Sequence, residues 1–522
     1  MNVGYKCREA AEKQEEREKM KTTDQKQVFN PYLPSFEYVP DGEPHVFGDR
    51  IYIFGSHDRF NGNGFCLNDY VSYSAPVDDL TKWRYEGVIY RKEQDPENRK
   101  IIEKGGQKLH AFWAPDVVCG SDGRYYLYYC MDHMNKIGVA VCDRPAGQYD
   151  FLDYVRHKDG FVLGEKEGDH PQFDPGVFMD DDGTVYLYSG NLDTSELARK
   201  ISLRQGMDRM SQVMTLEKDM ITLKTEPVEF MPSVFRSKGT GFEGHEFFEA
   251  SSIRKIEERY YFVYSSVNSH ELCYAISDKP DRGYQYGGTL VDIGDIYLNG
   301  REAKNSLNAY GNTHGGIECC NGQWYVFYHR QTNRSNFSRQ ACSEKIYFGE
   351  DGSIKQAEVT SCGLNTGALE GRGTYPAYIA CQANRYGKQV ISLALFMRKK
   401  YPYFTQDVPD MEPTDETIAS DKEIPVQYVT NIKKGTEIGY KYFEFKRSRL
   451  INLMIRGKAR GFIQVLAAVG SKKVVAGKVE VNINTDQWQL VECSVSLPNG
   501  KYGLRFQFLT SGVMDLQSFT LE

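Results

Sequence analysis

The sequence predicts an all-β protein, a five-bladed β-propeller followed by a β-sandwich domain. Three observations point there. Aromatic residues make up 13% of the chain, with 36 Tyr and 28 Phe, and such side chains suit pleated, half-buried surfaces better than helical bundles. A turn followed by a strongly apolar strand recurs five times at a spacing of several tens of residues, the mark of propeller blades. Beyond about Tyr375 that rhythm stops, and a different set of short alternating strands begins. At 522 residues the chain also exceeds what one hydrophobic core organises, so more than one domain is expected.

In chain order, residues 1–29 read as a charged extension, because Ala10-Ala11-Glu12-Lys13-Gln14-Glu15-Glu16 favours helix yet has little to bury. Residues 30–375 hold the repeats. They are Gly48-Asp49-Arg50-Ile51-Tyr52-Ile53-Phe54, Asp122-Gly123-Arg124-Tyr125-Tyr126-Leu127-Tyr128, Asp182-Gly183-Thr184-Val185-Tyr186-Leu187-Tyr188, Glu257-Glu258-Arg259-Tyr260-Tyr261-Phe262-Val263 and Asn321-Gly322-Gln323-Trp324-Tyr325-Val326-Phe327. Each is expected to be an inner blade strand buried between neighbouring sheets. Residues 376–439 read as a connecting segment that can include the first strands of the sandwich, with Pro402 to Glu423 rich in Pro, Asp, Glu and Thr. Residues 440–522 read as the sandwich, from Tyr440-Lys441-Tyr442-Phe443-Glu444-Phe445 through Trp488 to Leu504-Arg505-Phe506.

Bulk properties exclude some partners. A formal net charge of -7 supplies no basic field for nucleic acid, and no stretch is long and apolar enough to span a bilayer. A neutral ligand fits better. The twelve cysteines are scattered without metal-type spacing, which suggests free thiols in a reducing compartment. The first 21 residues lack the apolar core of a secretory signal. The expected location is therefore the cytoplasm, or outside the cell if a leader has been removed.

In a propeller, acids placed ahead of corresponding strands in different blades meet at one channel mouth. Asp41 in Tyr38-Val39-Pro40-Asp41-Gly42, Asp174 in Phe173-Asp174-Pro175-Gly176 and Glu249 in Phe247-Phe248-Glu249-Ala250-Ser251 occupy such places. Asp-Gly and Asp-Pro are also ordinary turn pairs, but three equivalent positions weigh against capping alone. Burial behind two aromatics would raise the Glu249 pKa, as a general acid needs.

These residues, with Asn30-Pro31-Tyr32-Leu33-Pro34, Trp113-Ala114-Pro115-Asp116 and Phe248-Glu249-Ala250-Ser251-Ser252-Ile253-Arg254-Lys255, form an ordered set that resembles glycoside hydrolase family 43 from about Asn30 to Phe348. The resemblance implies an inverting, exo-acting enzyme on α-L-arabinofuranosides or β-D-xylosides of plant-wall oligosaccharides. It makes Asp41 the general base, Glu249 the general acid and Asp174 the residue that tunes the acid. Gly42 stands where the family commonly has Pro after the base, which leaves Glu43 as second choice. Inversion needs the two carboxyls about 6.5–9.5 Å apart to admit a water.

Supporting residues have two readings each. Phe36 and Trp113 are sugar-stacking walls or core. Asp116 binds hydroxyls or ties down its loop, the second being favoured, and Arg330 in Tyr328-His329-Arg330 is a donor to the terminal sugar. His314 matches a channel histidine that in relatives holds a hydrated calcium, so a structural calcium is a candidate, though a neutral imidazole is a poor calcium ligand. No cofactor is expected for the chemistry. The C-terminal sandwich resembles carbohydrate-binding module family 6, with packing and sugar capture both open. The rival function is a non-catalytic carbohydrate-binding propeller, and the oligomeric state is not legible.

Overall fold

The computed structural model describes residues 27–191, 211–389, 399–408, 425–469 and 472–522. Most of the charged extension and of the segment Pro402 to Glu423 lies outside those residues.

Five antiparallel sheets form the propeller. Blade one holds β1 (Glu43–Phe47), β2 (Arg50–Phe54), β3 (Tyr70–Pro76) and β4 (Arg84–Tyr90). Blade two holds β5 (Phe112–Cys119), β6 (Tyr125–Met131), β7 (Ile137–Cys142) and β8 (Asp150–Tyr154). Blade three holds β9 (Gly176–Met179), β10 (Val185–Ser189), β11 (Gln212–Leu216) and β12 (Val228–Glu229). Blade four holds β13 (Phe247–Ile256), β14 (Arg259–Ser266), β15 (Glu271–Ser277) and β16 (Gln285–Asp292), and blade five β17 (Ile317–Cys320), β18 (Gln323–Gln331) and β19 (Arg339–Lys345).

One expectation is corrected here. The repeated turn-plus-aromatic units are the second strands β2, β6, β10, β14 and β18, whereas the strands around the channel are β1, β5, β9, β13 and β17, each packed on its neighbours in the ring. The reason is burial. A second strand is covered by the blade on either side, so Tyr126–Met131 and Tyr260–Ser266 are buried throughout. Channel strands must also carry polar groups. The turns between them need positive φ, supplied by Gly123 (81°), Gly183 (80°) and the Asn321-Gly322 pair (49° and 81°), the signature of tight hairpins.

The aromatics fill five apolar clusters, one in each gap between adjacent blades. Phe54, Tyr70, Phe112 and Tyr129 sit between blades one and two; Tyr188, Phe247, Phe262 and Tyr264 sit between three and four. The ring closes through its own N-terminal segment. Buried Asn30 donates Nδ2 to the Ser343 and Thr360 carbonyls and to Glu344 Oε1, and its Oδ1 accepts from the Ser343 N–H. First and fifth blades are thereby clasped.

The C-terminal domain is one curled nine-stranded sheet. Its strands are β20 (Leu369–Glu370), β21 (Gly373–Pro376), β22 (Gln382–Arg385), β23 (Tyr403–Gln406), β24 (Gln427–Ile432), β25 (Thr436–Phe445), β26 (Leu450–Val469), β27 (Lys472–Ser494) and β28 (Gly500–Leu521). β21 to β24, within or at the border of the segment 376–439, are thus part of the sheet, which curls around a single core of Tyr440, Phe443, Ile455, Phe506 and Phe519. Gly457 and Gly461, at φ of 125° and 144° with backbone of β28 within 3 Å of any added Cβ, let the long strand β26 bend against it. The domain docks on the propeller through buried Lys441, whose Nζ reaches Asp295 at 3.0 Å and Glu358 at 2.8 Å.

Candidate active site

The three carboxylates of the sequence pattern line one cavity of about 270 Å³ at the channel mouth, together with Trp113, Phe65, Phe173, Phe248, His314 and Arg339. Asp41 and Asp174 each stand two residues before a channel strand, at φ of 57° and 43°. Glu249 lies inside β13, where the pairing with β14 shifts register on both sides of it and Ala250 takes φ of 72°. A bulge of this kind re-aims a side chain that would otherwise follow the pleat.

Asp41 is buried, and its Oδ1 is held by partners. Arg339 Nη1 donates to its Oδ1 at 2.9 Å, while Arg339 Nε and Nη2 donate to Asp58 at 2.9 and 3.0 Å. The Asp41 N–H donates to His329 Nδ1 at 3.2 Å, and His329 Nε2 lies 2.8 Å from the Asn312 carbonyl. That pair of contacts fits a neutral imidazole with its proton on Nε2. Burial, then the charge of Arg339, hold the His329 pKa down to about 3. For Asp41, burial alone would raise the pKa, but the charge of Arg339, with His314 adding to it, lowers it below the ordinary value. Asp41 is therefore a carboxylate.

Glu249 has the opposite setting. Burial raises it first and the nearby charge of Asp174 second, to about 8; Asn191 Nδ2 donates to its Oε2 at 3.1 Å. Asp174 is itself raised by burial, with His314 opposing. His314 Nδ1 stands 3.5 Å from Asp174 Oδ2. Burial would lower the His314 pKa, yet the hydrogen bond and charge of Asp174 carry it up to about 9. Cys130 Sγ accepts from the Asp174 N–H at 3.4 Å. One pocket thus holds an ionised acid, a protonated acid and an ion pair.

The other sequence candidates divide. Trp113 forms a wall, edge-on to Phe173 at 5.1 Å and tilted against Phe65 at 5.8 Å. Phe36 does not; it is buried in a turn whose Ser35 carbonyl accepts from Gln340 Nε2, away from the cavity. Asp116 lies in the channel and joins blades two and three, accepting from the Val117 and Val177 N–H groups at 2.7 Å each. Glu43 also lies in the channel, bound to Ser252 and 2.9 Å from Arg254 Nη2. Arg330 is a correction. It packs over Phe404 of the C-terminal sheet at 4.1 Å and donates to Ala380 O and Gln340 Oε1. Consecutive strand residues face opposite ways, so it is His329 that turns to the pocket, while the guanidinium there belongs to Arg339, first residue of β19.

His314, the candidate metal ligand, faces Asp174 through Nδ1. Among the described residues, Glu43–His45–Asp116 and His245–Glu271–Cys273 bring ligand types together. In the first, Arg254 already supplies the positive charge and Asp116 is occupied by two N–H groups and His45 at 2.6 Å. In the second, Glu271 accepts from Ser266, Asn268 and Thr289 and lies 2.8 Å from His245. Neither set suits calcium, which takes six to eight oxygens.

A propeller whose mouth gathers carboxylates of opposed protonation between aromatic walls defines a glycoside hydrolase. The chain belongs to glycosyl hydrolases family 43, whose profile matches residues 30–354. A xylosidase/arabinosidase of Thermoclostridium stercorarium is 47% identical over 95% of this chain and 99% of its own. Another xylosidase/arabinosidase, from Bacteroides ovatus, is 31% identical over 57% of this chain and 87% of its own. Among solved structures, a family 43 arabinoxylan arabinofuranohydrolase from Bacillus subtilis in complex with cellotetraose is 20% identical, with a TM-score of 0.49, covering 94% of this chain and 97% of that one.

Proposed function

We propose that the enzyme removes a terminal pentose, α-L-arabinofuranose or β-D-xylose, from plant-wall oligosaccharides with inversion at the anomeric carbon. The observation that carries this is the pairing in one cavity of Asp41, kept ionised by Arg339, with Glu249, kept protonated up to about 8. Glu249 gives its proton to the glycosidic oxygen as the bond to C1 breaks. Asp41 takes a proton from the water that attacks C1 from the other face. The cycle ends with Glu249 ionised and Asp41 protonated, and exchange with solvent resets both. Asp174 raises the acid's pKa by its charge, and His314 holds Asp174 in place.

The relatives named xylosidase/arabinosidase support the pentose and its two candidate identities. Family 43 hydrolysis needs no cofactor, and a structural calcium gains no support from the residues around His314. Eleven free cysteines among the described residues support action in a reducing compartment, the cytoplasm. The test is turnover of 4-nitrophenyl α-L-arabinofuranoside and β-D-xyloside, with the first-formed anomer read by proton NMR. Turnover of at least one with inverted product is expected; retention of configuration, or no turnover of either, overturns the reading.

A further inference from the structure

Next to the cavity, the rim of blade four carries an aromatic surface that cleavage of a terminal sugar leaves unused. Ser269 lines the cavity, and its neighbour Asn268 donates Nδ2 to Tyr297 Oη at 3.3 Å. Tyr297 is 42% exposed and sits at φ 73°, ψ -31°, a backbone state that a bulky residue keeps only when its surroundings hold it there. They do hold it. The Tyr297 N–H donates to the Arg301 carbonyl at 2.8 Å. Fully buried Asp292 accepts from the Gly294 and Ile296 N–H groups, and Asp295 accepts from the Val359 N–H and from Lys441 of the C-terminal sheet. The His245 ring stands edge-on to Tyr297 at 5.6 Å and is itself stacked on Tyr286 at 4.9 Å.

The position also has a direction. An acid stands beside the oxygen it protonates, so the leaving group departs on the side of Glu249. Glu249 pairs with Ser265 on β14, and the turn after that strand carries Asn268 and Ser269. Blade four is therefore the leaving-group side.

We propose that Tyr297 is a stacking platform for the leaving part of the substrate, receiving the apolar face of a neutral backbone sugar beyond the scissile bond. The inference rests on the hydrolase reading above and deepens it: a small aryl leaving group gains nothing from the platform, whereas an oligosaccharide does. Asn268, Ser269 and Tyr297 offer an apolar ring with neutral hydrogen-bonding groups beside it, which suits a sugar face.

The experiment compares kcat/KM on xylobiose, xylotriose and xylotetraose with kcat/KM on the matching nitrophenyl glycoside, for wild type, Tyr297→Ala and Tyr297→Phe. In wild type the ratio is expected to climb with chain length. In Tyr297→Ala it is expected to fall about tenfold, the order of one lost sugar–aromatic stack, and in Tyr297→Phe to stay within about twofold of wild type. Proportional losses on both substrate types, or an intact length dependence in Tyr297→Ala, overturn the platform. If wild type turns over neither these substrates nor 4-nitrophenyl α-L-arabinofuranoside, the hydrolase reading fails instead. Calorimetric binding of xylotetraose then decides the platform separately, equal affinity in wild type and Tyr297→Ala being the negative result.

Discussion

The guanidinium of Arg339 donates to the carboxylate of Asp41 at 2.9 Å across 298 positions of sequence. The same guanidinium forks onto Asp58, so a buried cation is shared between the proposed base and a structural acid. Removing the arginine leaves both carboxylates unpaired, and breaking such a buried pair costs about 3–5 kcal/mol.

A first prediction follows for the acid side of the pH profile. Asp41 works as a base only when ionised, and Arg339 lowers its pKa against the upward push of burial. In Arg339→Lys, which keeps a charge but loses the fork, kcat is expected to fall about 100-fold and the acid limb of kcat/KM to move upward by about a unit. Initial rates between pH 4 and 8 check this; an unmoved limb would separate Arg339 from the base.

Asp174→Asn acts on the other limb. Burial raises Glu249 first, and Asp174 adds to it by like charge. Neutralising Asp174 takes away the second contribution, so the alkaline limb, expected near 8 in the wild-type enzyme, should shift downward, with kcat reduced at least about tenfold. An upward shift would contradict the assigned coupling.

Glu249→Gln is expected to abolish turnover by several orders of magnitude while stabilising the fold at alkaline pH. The folded pKa of about 8 lies above the ordinary 4.5, so between those values the native state holds a proton that the unfolded state has lost. Stability from this group is complete below about 4.5 and disappears as pH rises through about 8. An amide needs no proton, and thermal melting at pH 8 should show the variant above wild type by about 1–3 °C. A lower melting temperature would show that the carboxyl is a structural asset.

Arg330→Ala tests the separation of the two arginines. Arg330 packs on Phe404 and bonds the Ala380 carbonyl at the domain border, so its loss should lower the melting temperature by several degrees and leave kcat/KM within about twofold. A large rise in KM at unchanged stability would return it to the sugar site.

Dialysis against EDTA should leave kcat/KM unchanged, because the channel cation beside Glu43 is Arg254 and His314 is engaged by Asp174. Metal analysis of the dialysed protein paired with the rate assay checks it, and activity restored specifically by added calcium would refute it.

Much of this was legible beforehand for a physical reason. Blade turns demand positive φ and second strands demand apolar side chains, so Asp-Gly or Asn-Gly followed by aromatic residues marks blades two, three and five, with Gly48-Asp49 and Glu257-Glu258 in the same place in blades one and four. Asp41 and Asp174 were readable because each sits two residues before a channel strand, and Glu249 because it follows two aromatics at the start of one. Arg339 was not. It opens the third strand of blade five behind an Asn- and Ser-rich turn that says nothing of chemistry, and it reaches Asp41 only because the ring closes. His329 was passed over for Arg330, one position away, because guanidinium chemistry looked the better sugar donor and strand parity was not used. Tyr297 left no pattern either, since strain in a connecting loop has no composition of its own. The C-terminal sheet was recognised from its late strands, whereas its short early ones, such as Gly373–Pro376 and Gln382–Arg385, lack the length for a visible alternation.

The clasp made by Asn30 binds carbonyls 313 and 330 positions away. On a ribosome the first four blades emerge and pack in turn, yet the seam cannot be sewn until the stretch around Thr360 has cleared the exit tunnel. Non-local closure of this kind is entropically expensive and comes late. A chain interrupted before Arg339 would hold Asp41 with no guanidinium beside it, and the base would lack the partner that keeps it ionised until the circle is whole.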